Sequence, residues 1–153
     1  VIAFQNPNIR VTVVDKDAGR IRKWNSQHLP IHEPGLSEIV RIARDGTNAT
    51  TASVSGEFTV ELPARKQNLF FSTEVAKCVS EADIVFLSVN TPTKVTGIGA
   101  GAATNMVALE GATRDIAIAA KPGAIIVEKS TVPCRTAQIV RDTVCIITPS
   151  LEL

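Results

Sequence analysis

The sequence predicts an α/β domain, a doubly wound parallel sheet in which strands alternate with helices. Three observations carry that prediction. Apolar runs of strand length recur at 10–15, 68–71, 82–89 and 123–127. Stretches with apolar residues at helical spacing separate them. Val, Ile and Ala also supply most of the 44% apolar content while aromatics make up 4%, a bias that suits strands buried under helices on both faces.

The elements follow in order. Residues 1–4 read as the last turn of a helix, and Val11-Thr12-Val13-Val14 is a β-branched strand ending on Asp15. Ile21 and Trp24 mark a helix. Glu33-Pro34-Gly35-Leu36 reads as the start of the next, with proline in its first turn and one apolar face from Leu36, Ile39, Val40 and Ala43. From 46 to 67 the pattern fails. That stretch, rich in Thr, Ser and Ala and interrupted by Gly56 and Pro63, reads as a partly mobile surface insertion with room for a short hairpin around Phe58-Thr59-Val60. A strand at 68–71, a helix marked by Val75 and Val79 and a strand at 82–89 come next. A glycine-rich loop covers 97–101, and Met106, Leu109, Thr113 and Ile116 line a longer helix. After the strand at 123–127, Pro133 is expected to open a helix and Val144-Cys145-Ile146-Ile147 to begin a last strand.

Composition excludes several classes of function. At 153 residues with 20% charged side chains, the chain has room for one globular domain. A net charge of +1 without a basic stripe gives no nucleic-acid surface and no lipid-binding cluster. No apolar run is long enough to span a bilayer and no signal peptide is visible, so a cytoplasmic location is expected. Cys78, Cys134 and Cys145 lack metal-ligand spacing and read as buried free thiols of a reducing compartment; no metal is expected. Asn48-Ala49-Thr50 matches a glycosylation sequon, which carries no meaning in the cytosol.

Right-handed crossovers bring every strand's carboxyl end to one sheet edge, where open α/β sheets bind ligands. Asp15, Asn90 and Ser130 each follow a strand, so their loops are expected to converge there. In a dinucleotide-binding βαβ unit an acid ends the second strand, about 20 residues beyond a glycine fingerprint, and accepts the ribose hydroxyls. Asp15 fits that place, which puts the fingerprint before residue 1. Alone, such an acid is more often a helix cap or a solvated turn. Arg20, one helical turn on, is a solvated arginine or a cover for the adenine. Gly97-Ile98-Gly99-Ala100-Gly101-Ala102 matches G-x-G-x-x-A as a string, but seven residues separate it from Val89 and no acid closes a strand at the proper distance. It reads as a flexible loop.

Three longer stretches are more specific: Asn25 to Leu36 (NSQHLPIHEPGL), Phe86 to Lys94 (FLSVNTPTK) and Glu128 to Pro133 (EKSTVP). In content and order they resemble the UDP-glucose dehydrogenases of the UDP-glucose/GDP-mannose dehydrogenase family. The resemblance covers nearly all of the chain outside 46–67 and the tail. It implies a Rossmann-like, NAD-binding domain spanning 1–153, without its first strand and glycine-rich turn, and without the central helix and UDP-sugar-binding C-terminal domain. It implies that UDP-glucose is oxidised to UDP-glucuronate in successive hydride transfers, by a homo-oligomer.

NAD is the implied cofactor, since a carboxylate at Asp15 repels the 2′-phosphate of NADP. Backbone amides and hydroxyls of Val89, Asn90, Thr91, Pro92 and Thr93 would hold ribose and pyrophosphate, joined by Ser130 and Thr131. The threonine that Thr131 matches lies beside the nicotinamide and positions a proton-transfer water, which makes Thr131 the catalytic candidate; a cap on the helix opened by Pro133 is the plainer role. Packing at the start of a helix is expected of His28, His32 and Glu33, and solvation of Lys94 and Lys129. The chain departs from the family in two ways. None of its cysteines matches the family's catalytic cysteine motif, and Glu152 in the tail does not align with the family's catalytic glutamate. The chain alone is therefore expected to be inactive. A sister dehydrogenase acting on GDP-mannose or a UDP-amino sugar is the near alternative, and a non-enzymatic nucleotide-binding or oligomer-contact remnant the distant one.

Overall fold

The computed structural model describes residues 1–47, 50–54, 58–62 and 64–147, with 50–54 and 58–62 described by backbone alone. The chain divides into two compact units, Val1–Glu74 and Val75–Leu153.

The first unit is a β–α–β crossover with a hairpin set into it. Helix α1 (Ile2–Gln5) precedes strand β1 (Val11–Val14), followed by α2 (Ala18–Trp24) and α3 (Leu36–Asp45). Strands β2 (Thr50–Val54) and β3 (Phe58–Leu62) pair antiparallel, and β4 (Leu69–Ser72) returns parallel to β1 in the register Val11↔Leu69 to Val14↔Ser72. The expected hairpin around Phe58-Thr59-Val60 is thus present. Residues 48, 49, 55–57 and 63, which bear on the expected mobility of 46–67 and on the sequon, lie outside the described residues.

Buried Ala3, Ile21, Val40, Ile42 and Ala43 form the apolar interior of this unit. Helix α3 begins one residue after Gly35, which takes φ 75°, so Pro34 lies in the preceding turn rather than inside the helix. Trp24 stacks on Phe71 at 5.3 Å between centroids, tying α2 to β4. Polar groups complete the packing. The buried Asn68 amide faces the carbonyls of Ala3 (2.8 Å), Asn6 (3.0 Å) and Ile9 (2.8 Å). Arg65 reaches the carbonyls of Phe4 and Ala3 and the side-chain oxygen of Asn68. Together they satisfy carbonyls left open where α1 ends and the chain turns toward β1.

The second unit holds α4 (Val75–Glu81), β5 (Ile84–Leu87), α5 (Val107–Ala119), β6 (Ile125–Glu128) and α6 (Thr136–Ile147). Strands β5 and β6 are parallel, Ile84↔Ile125 to Leu87↔Glu128. Their inward face meets an interior of Val79, Leu87, Leu109, Ile116 and Val140, with Ala117 and Val144 beside it. The other face, Ile84, Phe86 and Ile125, is about half exposed (49–58%).

The expected parallel α/β class is present, its parallel strands described as two pairs, β1–β4 in the first unit and β5–β6 in the second. Other expectations are corrected. Residues 144–147 belong to α6, not to a last strand. Thr136, Val140 and Val144 are buried at i, i+4 and i+8, and this period of burial outweighs the local β-branched run. Helix α6 starts three residues beyond Pro133, after Arg135 at φ 69°, so Pro133 does not open it. Cys134 is exposed and Cys78 and Cys145 half-buried; all three are free, but none is fully buried. His28, His32 and Glu33 are exposed rather than packed.

Candidate functional site

In the first unit, Asp15 prolongs the ladder of β1, its amide donating to the carbonyl of Ser72 at 3.2 Å. The cap of α2 is Asp17, whose carboxylate accepts the amide of Arg20 at 3.0 Å. Those backbone N–H groups, of Arg20 first and then Gly19, hold the Asp17 carboxyl below its usual range. Asp15 is therefore not the cap. Its Oδ1 accepts the amide of Asp17 at 2.9 Å, and its Oδ2 meets Nη1 of Arg20 at 2.5 Å. That bond raises the Arg20 guanidinium above its ordinary value. Arg20 is thus an ion-pair partner of an acid at a strand's carboxyl end, and its side chain remains 58% exposed.

In the second unit the loops after β5 and β6 meet. The Ser130 hydroxyl donates to the carbonyl of Val89 at 2.8 Å, and the Thr91 hydroxyl to the carbonyl of Thr131 at 2.7 Å. The amides of Lys129 and Ser130 both donate to the carbonyl of Leu87. Pro92 accepts the amide of Asn105 at 2.7 Å, and Thr93 bridges to Thr104. The side chains of Asn90, Thr93 and Thr131 are exposed, and no hydrogen bond holds them among the described residues. Thr131 lies five residues before α6, too far to cap it; the Thr136 hydroxyl instead donates to the carbonyl of Pro133 at 2.7 Å. The expected convergence thus holds for the Asn90 and Ser130 loops, whereas Asp15 belongs to the other unit.

The glycine string at 97–101 is a closed loop. The amides of Ala100, Gly101, Ala102 and Ala103 donate to the carbonyls of Gly97, Lys94, Gly99 and Gly99 respectively. A phosphate cradle needs free amides, and these are engaged within the loop. Two shallow concavities of about 420 and 390 Å³ are lined by residues such as Asn8, Arg10, Asn68 and Gly46, Arg65, Gln67. Neither includes an expected site residue; a concavity without the relevant chemistry carries little weight. No group of three or more His, Cys, Asp or Glu among the described residues is placed to hold a metal ion, and no helix among them is long and apolar enough to cross a membrane. One feature escaped sequence reasoning: Oε1 of Glu128, at the end of β6, is buried without a partner among the described residues. No signal in the sequence separates it from a solvated acid.

Parallel β–α–β units with an acid at one strand's carboxyl end and hydroxyl-rich loops at two others define the nucleotide-binding class of α/β domain. The family model described as UDP-glucose/GDP-mannose dehydrogenase family, NAD binding domain, matches residues 1–61 and 57–148. The chain belongs to that family. It is 48% identical to UDP-glucose 6-dehydrogenase 4 of Arabidopsis thaliana and 47% identical to UDP-glucose 6-dehydrogenase 1 of Glycine max, each over 92% of this chain and 25% of the relative. The chain thus spans about a quarter of the length of the curated relatives it matches. Among solved structures, a UDP-D-ManNAc dehydrogenase from Pyrococcus horikoshii superposes with a TM-score of 0.72 at 20% identity, covering 99% of this chain and 30% of that one. GDP-mannose dehydrogenase from Pseudomonas aeruginosa gives 0.67 at 22% identity, covering 96% and 30%. At such identities the likeness establishes the fold.

Proposed function

We propose that this chain is part of an NAD-dependent enzyme that oxidises UDP-glucose to UDP-glucuronate by successive hydride transfers. The observation that carries the reading is near-half identity to proteins named UDP-glucose 6-dehydrogenase over 92% of the chain. The sister activities on GDP-mannose or UDP-amino sugars are favoured only by solved structures near 20% identity, and they are the weaker reading.

The residues present fit the cofactor. The Asp15 carboxylate accepts from the Asp17 amide and from Arg20, and its remaining lone pairs would accept the ribose hydroxyls of the adenosine. Its negative charge favours NAD over NADP. Arg20, already paired with Asp15, would cover the adenine. Exposed Asn90 and Thr93 and the backbone from Val89 to Thr93 would supply groups for ribose and pyrophosphate. Thr131 is the catalytic candidate, whose exposed hydroxyl would position a proton-transfer water. When bound, NAD supplies the hydride acceptor.

The 153 residues hold no glycine fingerprint directly after a strand and no cysteine in the family's nucleophile motif. Purified protein given UDP-glucose and NAD is therefore expected to give no rise in NADH absorbance, and a clear rise would refute this. Calorimetric titration with NAD should show weak binding at best, and micromolar affinity would contradict it. We assign the enzyme to the cytoplasm and to a homo-oligomer. Half-exposed Ile84, Phe86 and Ile125 favour further protein contacts, and light scattering after size exclusion tests that assignment.

A further inference from the structure

The turn after β1 carries two carboxylates, and their partners give them different electrostatic weight. Asp15 meets Nη1 of Arg20 with its Oδ2 at 2.5 Å. The fields of two opposite charges so close largely cancel a few ångströms away. Asp17 is held differently. Its Oδ1 accepts the backbone amide of Arg20 at 3.0 Å, while Nη2 of Arg20 stays 3.9 Å from its Oδ2. Backbone amides favour the ionised carboxylate without cancelling its charge, and they draw the Asp17 carboxyl below its usual range. Gly19 leaves room for this arrangement, since a Cβ there would lie 3.0 Å from Oδ1 of Asp17. The Asp17 side chain is 55% exposed, so its charge acts on whatever approaches the turn.

We infer that Asp17 is a second specificity-determining residue for the dinucleotide, its uncompensated charge adding to the rejection of a 2′-phosphate by Asp15. Asp15 acts at contact with the ribose, and Asp17 acts through space. A phosphate monoester carries about two negative charges at neutral pH, where NAD has only a hydroxyl. One more negative charge at this turn therefore bears on NADP far more than on NAD. This assignment rests on the reading of Asp15 as the ribose acid of an NAD site, and it extends selectivity from one residue to two.

The test uses the full 153-residue chain, labelled with ¹⁵N, and its Asp17→Asn, Asp17→Ser and Asp17→Ala variants. Asn and Ser cap a helix about as well as Asp, so they remove the charge and keep the cap, whereas Ala removes both. Lys16 is present in every chain compared, so its charge drops out of the differences. Trp24, stacked on Phe71, reports by fluorescence that the first unit stays folded. The amide signals of residues 15–20 are followed against millimolar NAD and NADP, at low salt and again at about 1 M, where the Debye length is about 3 Å.

At low salt, Asp17→Asn and Asp17→Ser should each tighten NADP about threefold to fivefold and leave NAD within about twofold. The gain should vanish at high salt. Asp17→Ala should weaken both dinucleotides relative to Asp17→Asn, by the same factor in either salt, because the lost cap acts on the shape of the turn. An NAD-to-NADP ratio that is equal in the parent, Asn and Ser chains would overturn the inference. So would a gain that survives high salt. If neither dinucleotide moves the amides of residues 15–20 in the parent chain, the NAD reading of this turn falls and the assignment of Asp17 falls with it. Binding with an unmoved ratio refutes the assignment alone.

Discussion

The guanidinium of Arg20 meets the carboxylate of Asp15 across five residues, while Asp17 between them caps the helix on which Arg20 sits. Three charged groups in one turn thus have separate tasks, assigned by backbone geometry. Strand β1 ends at Val14, so Asp15 stands at its carboxyl end. The amide of Arg20 falls within reach of Asp17, and its side chain folds back to Asp15.

That division gives the first prediction. Asp15→Asn keeps the shape and the acceptor for the Asp17 amide but removes the charge. NAD affinity should fall by about tenfold, and the preference for NAD over NADP should narrow, since the 2′-phosphate no longer meets a carboxylate. Competitive titration of the two dinucleotides reads both effects. An unchanged ratio would remove Asp15 from the ribose site.

Asn68 should be the most sensitive polar position of the first unit. Its amide has two hydrogens and faces three carbonyls, one bond being shared, while its oxygen accepts from Arg65. Asn68→Leu would leave those groups unsatisfied in a site only 5% exposed, at a cost of about 2–4 kcal/mol. The single tryptophan, Trp24, is stacked on Phe71 in the same unit, so its fluorescence during urea unfolding reports the loss.

Gly46 ends α3 with φ 77° and ψ 176°, a conformation essentially reserved for glycine. A Cβ there would lie 2.8 Å from the carbonyl oxygen of Arg65 and 3.3 Å from the amide of Gln67. Both are backbone atoms that cannot turn aside. Gly46→Ala should cost roughly 2–4 kcal/mol in the same Trp24 assay. A stable variant would show that the chain from α3 toward the hairpin takes another path.

Acid should weaken the first unit partly through Asp45. Hydrogen bonds from the Arg44 side chain hold its carboxyl below its ordinary value of 3.8. A carboxyl lowered in the folded state contributes stability that is complete above its unfolded pKa and is lost as pH falls through the folded one. The Asp45 side chain is 54% exposed, so the contribution is small, at most about 1 kcal/mol. Asp45→Asn should lower stability at neutral pH by some tenths of that and flatten the acid dependence below about pH 4. Urea midpoints across that range measure it, and parallel curves for parent and variant would remove Asp45 from the acid response. Arg44 also holds the carbonyls of Trp24 and Ser26 at 2.8 Å, which explains why the variant is made at Asp45.

Much of this was legible from residues alone. The run Val11-Thr12-Val13-Val14 forms a strand where expected, Leu109, Thr113 and Ile116 do line α5, and the loops of Asn90 and Ser130 do come together. Local pattern suffices there because a strand's ends and a helix's buried face are set by spacings of a few residues. Residues 144–147 read as a strand because Val-Cys-Ile-Ile has high β-propensity; the burial of Val144 in the interior of the second unit, in step with Thr136 and Val140, goes with the helix instead. Pro133 resembled a first-turn proline, but the chain needs the turn through Arg135 before α6 can begin.

What the sequence determined, then, is the order of elements up to β6, the family and the residues that stand at strand ends, because these depend on near neighbours. Tertiary structure decided which charged group does what around Asp15. Asp15, Asp17 and Arg20 are all plausible caps or partners until the turn after β1 brings one carboxylate to an amide and the other to a guanidinium. A hydrogen bond is selected within a few tenths of an ångström, and no one-dimensional spacing is that fine.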